Sequence, residues 1–131
     1  MIALILTDIL TVLESDLELQ SLLNGTTEDK KIYAFSTSKL NSIVYVYTDL
    51  ISNKILGQSR FEITINTLKV DYSLNIQILD RVKQLLLTLA DENFNDDITE
   101  IQQNGGGILT NDETNTIHNK AIFTIKYKER I

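Results

Sequence analysis

From Arg60 to Leu68 polar and apolar residues alternate without a break. Phe61, Ile63 and Ile65 fall on one side of an extended backbone, and Glu62, Thr64 and Asn66 on the other, because successive side chains of a strand point to opposite faces. A strand written this way has one face for a core and one for water. The rest of the chain must therefore supply a layer that covers the apolar face. Further on the period changes: Ile78, Leu79, Val82, Leu85, Leu86 and Leu89 recur at three and four. That spacing predicts an amphipathic helix, with Ser73 as its cap and residues 93–97 as its end.

The remaining segments fill in the layers. Ile2, Ile5, Leu6, Ile9, Val12 and Leu13 form one helical stripe. Ser15-Asp16-Leu17-Glu18 reads as a capping box that starts a further helical turn or two, which Asn24-Gly25 stops. Ile32-Tyr33-Ala34-Phe35 predicts a short strand. Ile43-Val44-Tyr45-Val46-Tyr47 is apolar on both faces and predicts a central one. Residues 52–59 read as a long hairpin loop with Ile55 and Leu56 at its tip, where they either fold back or dock on a partner. Residues 98–101 predict a strand running to Gly105-Gly106-Gly107, which reads as a flexible loop. In the final strand, residues 117–127, Ala121, Phe123, Ile125 and Tyr127 share one face. The order α-β-β-β-α-β-β predicts an α+β fold: a mostly antiparallel sheet of about five strands with two helices packed on one face, in a single domain spanning 1–131.

Composition removes several function classes. The 131 residues include no cysteine and one histidine, which excludes disulfides, thiolate metal sites, thiol nucleophiles and any site with two imidazoles. Twelve Lys and Arg against 18 Asp and Glu give a net charge of −6, a field that repels nucleic acid. The apolar start is broken at Asp8 and Glu14 and has no Lys or Arg ahead of it, so neither a signal peptide nor a membrane span is expected. The default is a soluble intracellular protein. The glycine cluster is followed by no Lys before Lys120 and lies between strands, which does not suit a phosphate loop. His118, with Asp112 and Glu113 upstream, lacks a nucleophile elbow and reads as a surface histidine on a strand. Residues 84–119 carry seven acids and no Lys or Arg. Among them Asp91, Glu92, Asp96, Asp97 and Glu100 lack the spacing of a calcium loop and read as a solvated acidic edge. No catalytic residue, metal site or cofactor is expected.

In their order and spacing these pieces resemble the small tail-terminator, or tail-completion, proteins of long-tailed bacteriophages. The resemblance runs from the helix around Ile9-Leu-Thr-Val-Leu13 and Asp16 to Leu23, through Lys31 to Phe35 and Ile43 to Tyr47. It continues from Arg60-Phe61-Glu62-Ile63-Thr64-Ile65 through Asp71-Tyr72 into the helix with Ile78, Val82 and Leu86. It ends on His118 and Phe123-Thr-Ile-Lys-Tyr127-Lys-Glu129. Family members usually carry a proline where Ser42 stands here. The resemblance implies a non-enzymatic virion structural protein that forms a ring, usually sixfold, on the tail tube and offers a docking surface to the head. Implied partners are further copies of the chain (a hexamer), the tail tube protein and a head-completion protein. DNA would pass without specific binding, no membrane is involved, and assembly would occur in the host cytoplasm. In that setting Ile55 and Leu56 are candidate contacts to a neighbouring subunit or the tube. Asp91, Glu92, Asp96, Asp97 and Glu100 are candidate lumen-facing acids, because like charge keeps DNA from sticking. Two other readings stand beside this one: a head-closure or adaptor protein of the same junction, and a monomeric intracellular protein-binding module.

Overall fold

In the computed structural model, which describes residues 2–37, 39–52, 56–89 and 98–128, the alternating stretch lies in the middle strand of a five-stranded sheet. Helices α1 (Ile2–Ser15) and α2 (Leu17–Leu23) precede strands β1 (Ile32–Ala34), β2 (Ser42–Ser52) and β3 (Leu56–Leu68). A 3-10 turn (Lys69–Asp71) leads into α3 (Tyr72–Leu89), and β4 (Ile98–Asn111) and β5 (Thr116–Lys128) follow. The spatial order is β1-β2-β3-β5-β4. Every neighbouring pair is antiparallel except β1 and β2, which run parallel. The α+β class expected from the sequence is the one observed, with three helices where two were expected.

One face of the sheet is dry. Phe61, Ile63 and Ile65 of β3 and Ala121, Phe123, Ile125 and Tyr127 of β5 are fully buried. They share a single cluster with Ile5, Ile9 and Leu13 of α1, Leu19 and Leu23 of α2, and Ile78, Val82 and Leu86 of α3. Gly57 stands opposite Tyr127 across the β3–β5 pair. A Cβ there would lie 2.2 Å from the Tyr127 ring, so the missing side chain is the space that ring occupies. Asn75 of α3, itself buried, donates from Nδ2 to the Ile65 carbonyl at 3.1 Å and to Thr67 Oγ1 at 3.0 Å. It fastens the first turns of the helix to the end of β3.

Several local expectations are corrected. Ser15 does not cap α2: its hydroxyl donates back to the Thr11 carbonyl at 2.6 Å and completes α1. Asp16 is the cap, accepting from Leu19 N at 2.9 Å. A carboxylate suits the helix N-terminus better than a hydroxyl, and it also receives Arg81 Nε at 2.9 Å and Nη2 at 2.7 Å from α3. Asn24 does end α2, in the left-handed region at φ 56. Ser73 lies inside the first turn of α3, because the 3-10 turn has already started the helix at Tyr72. The expected end at 93–97 is outside the described residues. Of the long loop expected at 52–59, Ser52 belongs to β2 and residues 56–59 to β3, while 53–55 lie outside the described residues. The strand at 43–47 has neighbours on both sides, but the middle place belongs to β3. Phe35 lies past the end of β1 at φ 67.

Arg81 holds the Asp16 carboxyl below the usual range, with the Leu19 amide helping against the cost of burial. Its stabilising contribution is therefore complete above the unfolded value of about 4 and is lost as pH falls through the lowered native one. Asp16→Ala should lower stability by about 1–3 kcal/mol near neutral pH, measured by urea unfolding. The gap to wild type should narrow as the pH falls below about 4.

Candidate assembly surface

The second face of the sheet carries Thr64 and Asn66 of β3 and His118, Lys120 and Ile122 of β5, all neighbours by register. Two structures flank it. On one side residues 35–41 connect β1 to its parallel neighbour β2. Parallel strands ordinarily need a crossover of a dozen or more residues. Seven suffice here because β1 is three residues long, and because left-handed backbone at Phe35 and Asn41 turns the chain at both ends. Asp29 ties this crossover together. It accepts from Lys31 N at 3.0 Å, from the Tyr33 hydroxyl at 2.6 Å and from Lys39 Nζ at 2.6 Å. Lys39, then Tyr33 and the Lys31 amide, hold its carboxyl far below the usual carboxylate range. Lys31 Nζ donates to the Leu40 carbonyl, and the Ser42 hydroxyl to the Lys39 carbonyl.

On the other side stands the β4–β5 hairpin. Residues 112–115 turn the chain. Asn111 Oδ1 accepts from Glu113 N and Thr114 N, and Asn115 takes φ 56. Lys69 of the 3-10 turn anchors this tip by pairing with Asp112, whose carboxyl it lowers, and by donating its amide to the Asn115 carbonyl at 2.9 Å. The expected glycine loop is therefore corrected: Gly105, Gly106 and Gly107 lie inside β4, opposite Ile122, Ala121 and Lys120. A Cβ on Gly106 would come within 2.4 Å of the Lys120 carbonyl oxygen, whereas one on Gly107 would meet nothing within 4 Å. Only the first is needed for the strands to pair.

Between crossover and hairpin runs a groove of three depressions, of about 220, 430 and 200 Å³. They are joined through shared lining by Thr37, Thr64, Asn66 and His118. Its floor is polar and closed on itself: His118 Nδ1 lies 2.6 Å from Asn66 Oδ1 and Nε2 lies 3.1 Å from Thr116 Oγ1. Among the described residues no serine or carboxylate is bonded to that ring, and its bond to Asn66 ties β5 to β3. His118 stands on a strand as expected, but half-buried with both ring nitrogens in polar contact rather than simply on the surface. The rims are apolar. Phe35 is 77% exposed and Leu109 71%, with Leu40 and Ile108 less so. From Gln102 to Asn111 β4 is exposed on both faces, and its outer edge pairs with no strand among the described residues. Unpaired main-chain groups on a strand edge beside apolar side chains are the features on which extended polypeptide docks in β-augmentation.

The residues singled out from the sequence fall elsewhere. Ile55, Asp91, Glu92, Asp96 and Asp97 lie outside the described residues. Leu56 is the first residue of β3, opposite Lys128. Glu100 is on β4 opposite Lys126 and pairs with its Nζ at 3.4 Å. The cation missing from its own segment is supplied by the next strand. Phe35, Leu40, Ile108 and Leu109 carried no sequence signal as a group, because the fold alone puts them on sheet edges.

No protein-family model matches the chain, and no curated protein matches it. Among solved structures 22 chains match. One belongs to the virion of a native gene transfer agent (GTA) particle, with a TM-score of 0.67 over 92% of this chain and 92% of that one, at 10% sequence identity. The chain shares that fold.

Gly106→Val should cost about 1–3 kcal/mol by forcing β4 away from Lys120. Gly107→Val should leave stability within about 0.5 kcal/mol of wild type, both read from thermal or urea unfolding.

Proposed function

We propose that the chain is a structural protein of a phage-like virion that assembles into a closed homo-oligomeric ring at the end of the tail tube, stops its growth and offers a face to the head. The observation that carries this reading is the shared fold: nearly the whole of this chain follows nearly the whole of a chain from a virion particle. The resemblance of its segments, in order, to tail-terminator proteins points the same way. The site agrees with it, since the groove and the bare edge of β4 are built to meet polypeptide. Ring closure follows when one patch of a subunit meets a different patch of the next and the rotation closes. Sixfold closure, a tube protein on one face and a head-completion protein on the other are parts of this reading.

Two residue sets belong to it. Ile55 and Leu56, at the β2–β3 junction, would touch a neighbour or the tube. Asp91, Glu92, Asp96, Asp97 and Glu100 would border the lumen and keep DNA moving by like-charge repulsion.

Light scattering and negative-stain imaging of the purified full chain should give a single closed ring. Adding it to growing tubes should stop their extension. A chain that stays monomeric at high concentration and leaves tubes growing overturns the reading. In assembled particles, Asp91→Lys, Asp96→Lys and Asp97→Lys combined should preserve the ring and slow DNA release, with retention that weakens as salt rises. Release at the wild-type rate removes the lumen assignment alone.

A further inference from the structure

Asn-Gly occurs twice in the chain, at Asn24-Gly25 and at Asn104-Gly105. Such a pair is reactive because the amide nitrogen after an asparagine can attack its side-chain carbonyl carbon, and a glycine has no Cβ to hinder the approach. The fold treats the two sites in opposite ways. Asn24 is the C-cap of α2 in left-handed backbone, and the Gly25 amide, the nucleophile there, donates to the Gln20 carbonyl at 2.9 Å. A Cβ on Gly25 would collide with Gln20 Oε1, so that turn is closely packed. Asn104 stands in the bulge of β4. Gln103 is opposite Phe123 and Gly105 opposite Ile122, which leaves Asn104 with no residue across the ladder. It is exposed, and so are the residues on both sides of it. A Cβ on Gly105 would meet nothing nearer than Ile122 Cδ1 at 3.6 Å, so the approach is open. One bond restrains the side chain, from Asn104 Nδ2 to Thr124 Oγ1.

We propose that Asn104 is a site of self-modification, where the chain converts its own side-chain amide to a carboxylate. This does not depend on the ring reading. The Gly105 nitrogen bonds to Asn104 Cγ as the Cγ–Nδ2 bond breaks, and Nδ2 leaves as ammonia with the proton given up by the Gly105 amide. Water then opens the cyclic imide at either carbonyl, restoring a peptide link and leaving aspartate or isoaspartate at 104. Base speeds the first step by removing the Gly105 amide proton. The product changes the edge. Gln102 to Asn111 carries no charge, and a carboxylate at 104 adds one of the devices that discourage strands from pairing with an exposed edge. The isoaspartyl form also adds a methylene to the main chain, at a residue where the register already shifts. A newly made chain and an aged one thus present different β4 edges.

The test is a time course of the folded full chain in mildly alkaline and mildly acidic buffer, read by peptide mapping and mass spectrometry, with a urea-unfolded sample alongside. Asn104 should lose ammonia faster than Asn24 by about an order of magnitude, because the cap of α2 must open before Gly25 can react. The Asn104 rate should rise in the alkaline buffer. Thr124→Val, which frees the Asn104 amide, should raise the rate at 104, and Gly105→Ala should lower it, with Asn24 unchanged in both. Equal rates at the two asparagines in the folded chain, or a faster Asn24, overturn the proposal. An Asn104 still intact when both sites of the unfolded sample have reacted overturns it as well. So does a rate at 104 that Gly105→Ala leaves unaltered, since attack by that nitrogen is the step proposed. Should Thr124→Val fail to fold by circular dichroism, the wild-type comparison and Gly105→Ala decide the matter.

Discussion

The apolar face of β3 and β5 has to be kept from water, and the material for doing so is limited. A helix with its side chains is about 10–12 Å across and strands lie about 4.8 Å apart, so one helix covers roughly two strands. α3 takes the centre, and α1 and α2 continue the layer through Ile5, Ile9, Leu13, Leu19 and Leu23. Arg81 and Asn75 fix the geometry of this layer, the one by holding the cap of α2, the other by holding the end of β3. The cover reaches Ile98 and Ile101 at the near end of β4, both buried, and stops there. Beyond Ile101 the strand is exposed on both faces.

That exposed half-strand is what gives the molecule an outward-looking edge. The ten residues of this edge, Gln102 to Asn111, carry neither charge nor proline, two of the devices that discourage pairing. Glycines at 105–107 shape it without projecting side chains, and the bulge between Gln103 and Gly105 re-aims its far end. The opposite edge is managed differently: β1 is short, bounded by left-handed backbone and knotted by Asp29. One sheet thus presents two unlike edges, a condition for head-to-tail association.

Legibility in the sequence followed the periodicity. Phe61, Ile63 and Ile65, or Ile78, Val82 and Leu86, announce their faces by spacing alone, and the core they form is the one expected. Turn chemistry was less transparent. Three consecutive glycines look like a loop, yet Gly106 is a strand residue whose missing Cβ lets Lys120 approach. Leu56 looked like part of a loop tip, yet it is the first residue of β3 and pairs with Lys128. In each case strand pairing with a partner distant in sequence outweighed local preference, as is common for strands.

The sequence by itself determined the layers: which residues are apolar, at what period, and hence that helices must cover one face of a mostly antiparallel sheet. It also determined the chemistry that is ruled out, since a chain without cysteine and with one histidine has few groups to offer. Only the tertiary structure decided which strands are edges, that Glu100 meets Lys126, and that Phe35 and Leu109 stand exposed at opposite edges of one sheet. Those facts depend on strand order and register, which pair residues dozens of positions apart, and no local pattern encodes them.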